Sequence, residues 1–121
     1  MTTFQEIEDK KQKFLRPLFS LSDKLPMLLA RARDPAVELH IELILKHLPP
    51  ALEVVKDFIM QQIPIAPPEL RPMLIQQETH VRAARNALLE KQPDTNFVHT
   101  CLIQIQRLSD TISRSTLARA A

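Results

Sequence analysis

The stretch that decides the fold is DPAVELHIELILKHLPPALEVVKDFIMQQI, residues 34–63. Asp34 and Pro35 are typical of a helix start, because aspartate caps free backbone N–H groups and proline suits the first helical position. The apolar residues that follow recur every three or four positions, which is the spacing of one helical face. They are Val37, Ile41, Ile44, Leu45 and Leu48. The stretch therefore predicts a helix that begins after Asp34.

A β-strand is the alternative for the first part of this stretch. Residues 37–43 also alternate apolar and polar side chains, as a half-buried strand would. The segment is rich in leucine rather than in β-branched residues, and no second strand is evident elsewhere for it to pair with. The helix is therefore the favoured interpretation.

Helix signals also appear on both sides of residues 34–63. Thr3 and Glu6 have the spacing of a capping box, and an apolar seam follows, interrupted by Lys11. We expect a helix over about residues 3–33, bent or broken near 17 and 22. The second helix is expected to be split by the double proline at 49–50, because proline interrupts helical hydrogen bonding.

Two further helices are expected after the proline-rich segment 63–72. The third carries a heptad-like stripe, Leu74, Gln77, Val81, Ala84 and Leu88, and is expected to end near Gln92. Asp94 or Thr95 can cap the fourth helix, whose tail is expected to fray from Ser113 onward. Together, the four expected helices and their short connections predict one all-α domain over residues 1–121. Its architecture is expected to be an up-and-down four-helix bundle with proline-broken helices.

The composition excludes several classes of enzyme. The chain of 121 residues has no glycine, whereas phosphate-binding loops, dinucleotide fingerprints and nucleophile elbows need glycine for tight turns or close backbone approach. Tryptophan and tyrosine are also absent, so aromatic platforms for stacking nucleic-acid bases are not expected.

Metal-ligand and nucleophile patterns are weak as well. His40 and His47 are seven residues apart, about 10 Å along a helix, which is too far to share one ion. His99 and Cys101 are two apart and point to nearly opposite sides of a helix. Cys101 also falls on the predicted core face. We expect no catalytic residue, no metal site and no cofactor, and hence not an enzyme.

The feature that points to a function is a set of apolar residues outside the main helical seams. A minimal bundle leaves such positions near solvent, and grouped exposed apolar residues indicate a partner surface. The set is Leu39, Leu43, Ile75, Leu89, Leu102 and Ile103. We expect an interaction protein, adaptor or chaperone-like bundle that binds another protein or forms a homodimer. The alternative is that these second faces are internal core.

A regulatory module that binds nucleic acid or another polyanion is the second hypothesis. It would use a basic face made of Arg71, Arg82, Arg85, Arg107 and Arg114. Sixteen basic residues are offset by 14 acidic ones, which leaves a net charge of +2 and makes nucleic acid an unlikely partner. A single cysteine, no apolar leader and no apolar run near 18 residues lead us to expect a cytoplasmic protein without a membrane span.

Overall fold

In a computed structural model, residues 3–120 are described, except for the side chains of Ser22 and residues 117–120. All regular elements within that part of the chain are helices: α1 (Phe4–Ala30), α2 (Pro35–Gln62), α3 (Arg71–Leu88) and α4 (Thr95–Ala120). A single 3-10 turn, Ile63–Ile65, extends α2. The all-α class is confirmed, and the strand alternative for residues 37–43 is wrong because they lie inside α2.

Three helices begin at side-chain caps that the sequence signals. In each case a side-chain oxygen accepts a hydrogen bond from a backbone N–H group that has no partner within the helix. The caps are Thr3 to the N–H of Glu6 at 3.1 Å, Asp34 to that of Ala36 at 3.0 Å, and Asp94 to that of Phe97 at 3.1 Å.

α1 and α2 are unbroken at their internal prolines, so the predicted split of α2 at 49–50 is wrong, whereas the predicted bend of α1 near residues 17 and 22 stays a prediction. α1 contains Pro17 and Pro26, and α2 continues through Pro49 and Pro50 to Gln62. Each internal proline costs about 3 kcal/mol, since it removes one hydrogen bond and crowds the preceding turn. In α2 the fully buried Leu48 and Leu52 flank the proline pair, and their packing offsets this cost.

The four helices form a closed ring. Each helix packs on the next one along the chain, and α4 packs back on α1. Phe14, in the first half of α1, contacts Phe58 of the second half of α2 edge to face, with ring centroids 6.3 Å apart. Gln12 of α1 donates to Ser113 in the second half of α4 at 2.9 Å. Both neighbours of α1 therefore run antiparallel to it, as in an up-and-down bundle.

Two helix ends differ from the predictions. α3 ends at Leu88 rather than near Gln92, because the residues between Leu88 and Pro93 have no buried position to fill and lie exposed. α4 remains helical to Ala120 instead of fraying from Ser113, since Ile112 is fully buried against the bundle. The core between the helices is continuous and predominantly aliphatic.

Candidate protein-binding surface

The outer side of α2 carries an apolar stripe where a bundle helix usually presents polar residues. Leu39 and Leu43 are 58% and 48% exposed, and Pro50 and Val54 are also exposed. At 100° per residue these four side chains fall within an arc of about 60°, roughly opposite the face that enters the core. We call this stripe, Leu39, Leu43, Pro50 and Val54, the α2 face.

The N-terminal half of the α2 face borders a groove between α1 and α2. The groove has a volume of about 380 Å³ and an open mouth. Its walls are mainly aliphatic, with two exposed histidines at the rim. The lining residues are Leu21, Ala36, Leu39, His40, Leu43, Ile44 and His47. Two leucines that the sequence predicted for partner binding therefore meet in one apolar depression, which we call the α1–α2 groove.

Two other predicted binding residues are exposed but do not join this groove. Leu89, 70% exposed, lies beside Pro49 and Pro50 in a separate depression between α2 and α3. Ile75, 53% exposed, lies in the first turns of α3, near the C-terminal end of the antiparallel α2. From Leu39 to that end of α2 is roughly 35 Å at 1.5 Å per residue. Ile75 is therefore remote from the α1–α2 groove.

The structure corrects Leu102, whereas the prediction for Ile103, the last of the set, stays a prediction. Leu102 is fully buried and belongs to the core, so it is not part of a free surface. Ile103 is half-buried. The reason is that Leu102 falls within the same arc of α4 as the buried Val98 and Ile105, which is the side that faces the other helices. For Leu102, the alternative of an internal second face is confirmed.

The five arginines of the basic alternative do not form one free cationic face. Arg82 pairs with Glu78 at 2.8 Å, and Arg85 pairs with Glu53 of α2. Arg71, Arg107 and Arg114 are exposed, on α3 and α4. Carboxylates already neutralise the two arginines that stand closest in sequence, which lowers the positive potential available to a polyanion.

A cluster of polar side chains lies in the bundle core and was missed by the sequence analysis. Lys11 of α1 donates to the side-chain oxygens of Gln62 and Gln77, both at 2.8 Å, and lies 3.2 Å from Glu8 Oε1. Gln77 in turn donates to the Ile105 carbonyl at 3.1 Å. All four side chains of this buried polar cluster, Glu8, Lys11, Gln62 and Gln77, are fully buried. The cluster connects residues from all four helices.

Burial controls the charges of this cluster. It raises the pKa of Glu8, against the opposing attraction of Lys11 and the Gln62 amide. It lowers the pKa of Lys11, against the opposing attraction of Glu8. Both shifts disfavour the ionised forms, because a low-dielectric interior destabilises charge. The sequence signal for this cluster is that Lys11 and Gln77 occupy core-facing positions of α1 and α3. The sequence does not show that these two positions contact each other.

The remaining reactive groups do not form a site. Cys101 is buried, and burial raises the pKa of its thiol, which disfavours the nucleophilic thiolate. Within residues 3–120, no group of three or more histidine, cysteine, aspartate or glutamate side chains could hold a metal ion. His40 and His47 instead border the α1–α2 groove.

No helix in the described part of the chain combines the length and the hydropathy that a membrane crossing requires. Comparison with protein-family models, with curated proteins and with solved structures finds no match to this chain. The α2 face and the α1–α2 groove are therefore interpreted from their own geometry.

Proposed function

We propose that this chain is a non-enzymatic protein-binding module whose α2 face docks an apolar surface of another protein chain. The observation that carries the proposal is the pair Leu39 and Leu43, roughly half exposed on the side of α2 opposite the core. Exposed apolar residues are ordinary when single, but grouped beside a groove they mark an interaction site.

The exposed apolar area favours a weak complex. Complete burial of a leucine side chain is worth about 1.5–3 kcal/mol, so covering the exposed halves of Leu39 and Leu43 contributes roughly 1 kcal/mol each. Leu21, which lines the groove from α1, and Val54, farther along α2, add to this apolar area. Such a site suits a partner helix that lays its own apolar stripe along α2.

Polyanion binding through the five arginines receives less support, because two of the arginines are already paired with carboxylates. A polyanion-binding face needs several free cationic side chains together, whereas Arg82 and Arg85 already face Glu78 and Glu53. The α2 face instead offers four exposed apolar side chains on one side of α2. Protein binding, in the cytoplasm that the sequence leads us to expect, is therefore the function we put forward.

Site-specific photocrosslinking tests the proposal in cells that make the protein. A photoreactive phenylalanine analogue replaces Leu43 in one version and Gln76 in the other, a matched exposed position on α3. We expect the Leu43 version to give a discrete covalent adduct with a protein, because a docked partner covers that side chain. The Gln76 version should give none.

The mass of the adduct identifies the class of partner. Adducts of equal yield at both positions, or no adduct at Leu43, would show that the α2 face is not a docking site. Thermal melts of both labelled proteins serve as the folding control, since exposed substitutions away from special features usually change stability by no more than about 0.5 kcal/mol.

A further inference from the structure

The α2 face has a charged edge that complements itself. Glu42 and Lys46 are exposed and lie one helical turn apart on the same side of the stripe. Within residues 3–120 neither side chain forms an ion pair. One acidic and one basic group of this edge are therefore both available to a partner.

An antiparallel copy of α2 matches this edge with opposite charges. Consider two antiparallel α2 helices related by a two-fold axis at the height of Ile44. A residue that precedes Ile44 by a given number of positions then lies opposite the residue that follows Ile44 by the same number in the other copy. Glu42 and Lys46 are each two positions from Ile44, so each meets the opposite charge of the second copy. Two reciprocal ion pairs result.

The same alignment buries the apolar stripe. Leu43 stands next to the two-fold axis, so the two copies of Leu43 approach each other there. Leu39 lies five positions before Ile44 and Pro50 six positions after it, so Leu39 of each copy reaches Pro50 of the other. Three of the four residues of the α2 face are thus covered by one symmetric contact.

Charge selects this alignment over its nearest competitor. If the axis lay between Lys46 and His47, Leu39 would meet Val54 and Leu43 would meet Pro50 of the second copy, so all four residues of the α2 face would be covered. The two Lys46 side chains would then approach each other, which costs energy. The axis beside Ile44 avoids this repulsion and forms the two ion pairs.

We propose that the occupant of the α2 face is a second copy of this chain, paired antiparallel through α2 with reciprocal contacts between Glu42 and Lys46. This inference rests on the proposed function and names its partner. A single pair of helix faces buries less than the ~800 Å² per partner of a standard interface. The dimer is accordingly weak, with a dissociation constant of roughly micromolar order or above.

Sedimentation velocity over a series of protein concentrations tests the pairing. The weight-average mass of the full chain should rise from one chain toward two as the concentration passes through that range. Glu42→Lys and Lys46→Glu should each weaken dimerisation about tenfold or more, because each places like charges opposite one another. The double variant Glu42→Lys/Lys46→Glu should dimerise again, since it restores both pairs with exchanged signs.

Asp110→Lys is the control, an equally exposed charge reversal on α4, which does not adjoin α2 in the ring. It should leave the association unchanged, and circular dichroism should show all variants folded. A mass of one chain at every concentration would overturn the inference, as would a dimer that the double variant does not restore. The proposed function would survive either result if photocrosslinking at Leu43 captured a different protein.

Discussion

At the residue scale, the least expected side chain is Lys11, a lysine that is fully buried yet makes three polar interactions. Burial of a charge is costly unless each of its hydrogen-bonding groups is satisfied. Lys11 offsets this cost by donating hydrogen bonds to Gln62 and Gln77 and by its ion pair with Glu8, whose carboxylate oxygens are buried and accept no hydrogen bond. We infer that the buried polar cluster fixes how the four helices align, because shifting any of them would leave a charge or an amide unpaired.

A double-mutant cycle at positions 8 and 11 measures this coupling. Lys11→Met should lower the free energy of unfolding by about 3–5 kcal/mol, because it leaves a buried carboxyl and two amide oxygens without their partner. Glu8→Leu should cost less, since Lys11 keeps both amide acceptors. Urea unfolding of the double variant should show a loss smaller than the sum of the two single losses. Strictly additive losses would mean that the pair is not coupled.

The same cluster gives stability a defined pH dependence. The pKa of Glu8 is raised in the folded protein, so its stabilising contribution is complete below the ordinary value of 4.5 and is lost as the pH rises through the raised pKa. The pKa of Lys11 is lowered, so its contribution is complete above the ordinary value of 10.5 and is lost as the pH falls through the lowered pKa. Glu8 therefore contributes stability at low pH, and Lys11 contributes stability at high pH.

The double variant Glu8→Leu/Lys11→Met isolates the pH dependence that these two residues cause, because every other titrating group is unchanged in it. The free energy of unfolding of the natural chain minus that of the double variant should be lowest at intermediate pH and should rise toward both ends of the pH range. Urea unfolding at a series of pH values provides the measurement. A difference independent of pH would contradict the assigned pKa shifts.

Leu102 and Leu43 form a matched pair of leucines that the structure places in opposite environments. Leu102→Ala should cost about 2–5 kcal/mol of unfolding free energy, because it leaves a cavity in a packed core. Leu43→Ala should lower that free energy by no more than about 1 kcal/mol at protein concentrations where the chain is monomeric, because only half of the side chain is buried. Chemical denaturation of both variants checks the assignment, and equal losses would be inconsistent with the burial described.

At the element scale, the positions of the prolines make separate predictions. Pro17 lies inside α1 and is exposed, so Pro17→Ala should raise the free energy of unfolding by about 1–2 kcal/mol, as it restores a helical hydrogen bond to the Lys13 carbonyl. Pro35 occupies the start of α2, where no such bond is lost. Pro35→Ala should give no gain in thermal melts. A similar gain at both positions would contradict the explanation.

The sequence predicted the helix starts well where a capping residue was followed by apolar residues at helical spacing, as at Asp34, Thr3 and Asp94. They failed at Pro49 and Pro50. The intrinsic preference of proline argues for a break, but the packing of buried leucines on both sides decides the outcome. That packing involves residues of other helices, which a pattern within one segment does not contain.

At the scale of the whole molecule, exposure of the second apolar faces depends on which side of each helix the bundle turns inward. The sequence singled out Leu39, Leu43 and Leu102 by the same pattern, yet the first two are exposed and the third is buried. Only the ring of four helices separates them, because α4 turns Leu102 into the bundle while α2 turns Leu39 and Leu43 outward. The buried polar cluster was missed for the same reason, since it is assembled from all four helices.

The central claim is that the α2 face is covered when the protein acts in the cell. Hydroxyl-radical footprinting in living cells, compared with the dilute purified protein, measures this directly at single side chains. We expect Leu39 and Leu43 to be less oxidised in cells than in the dilute protein, whereas Ile75, which is remote from the α2 face, is oxidised equally in both. Equal oxidation of Leu39 and Leu43 in the two settings would contradict the account.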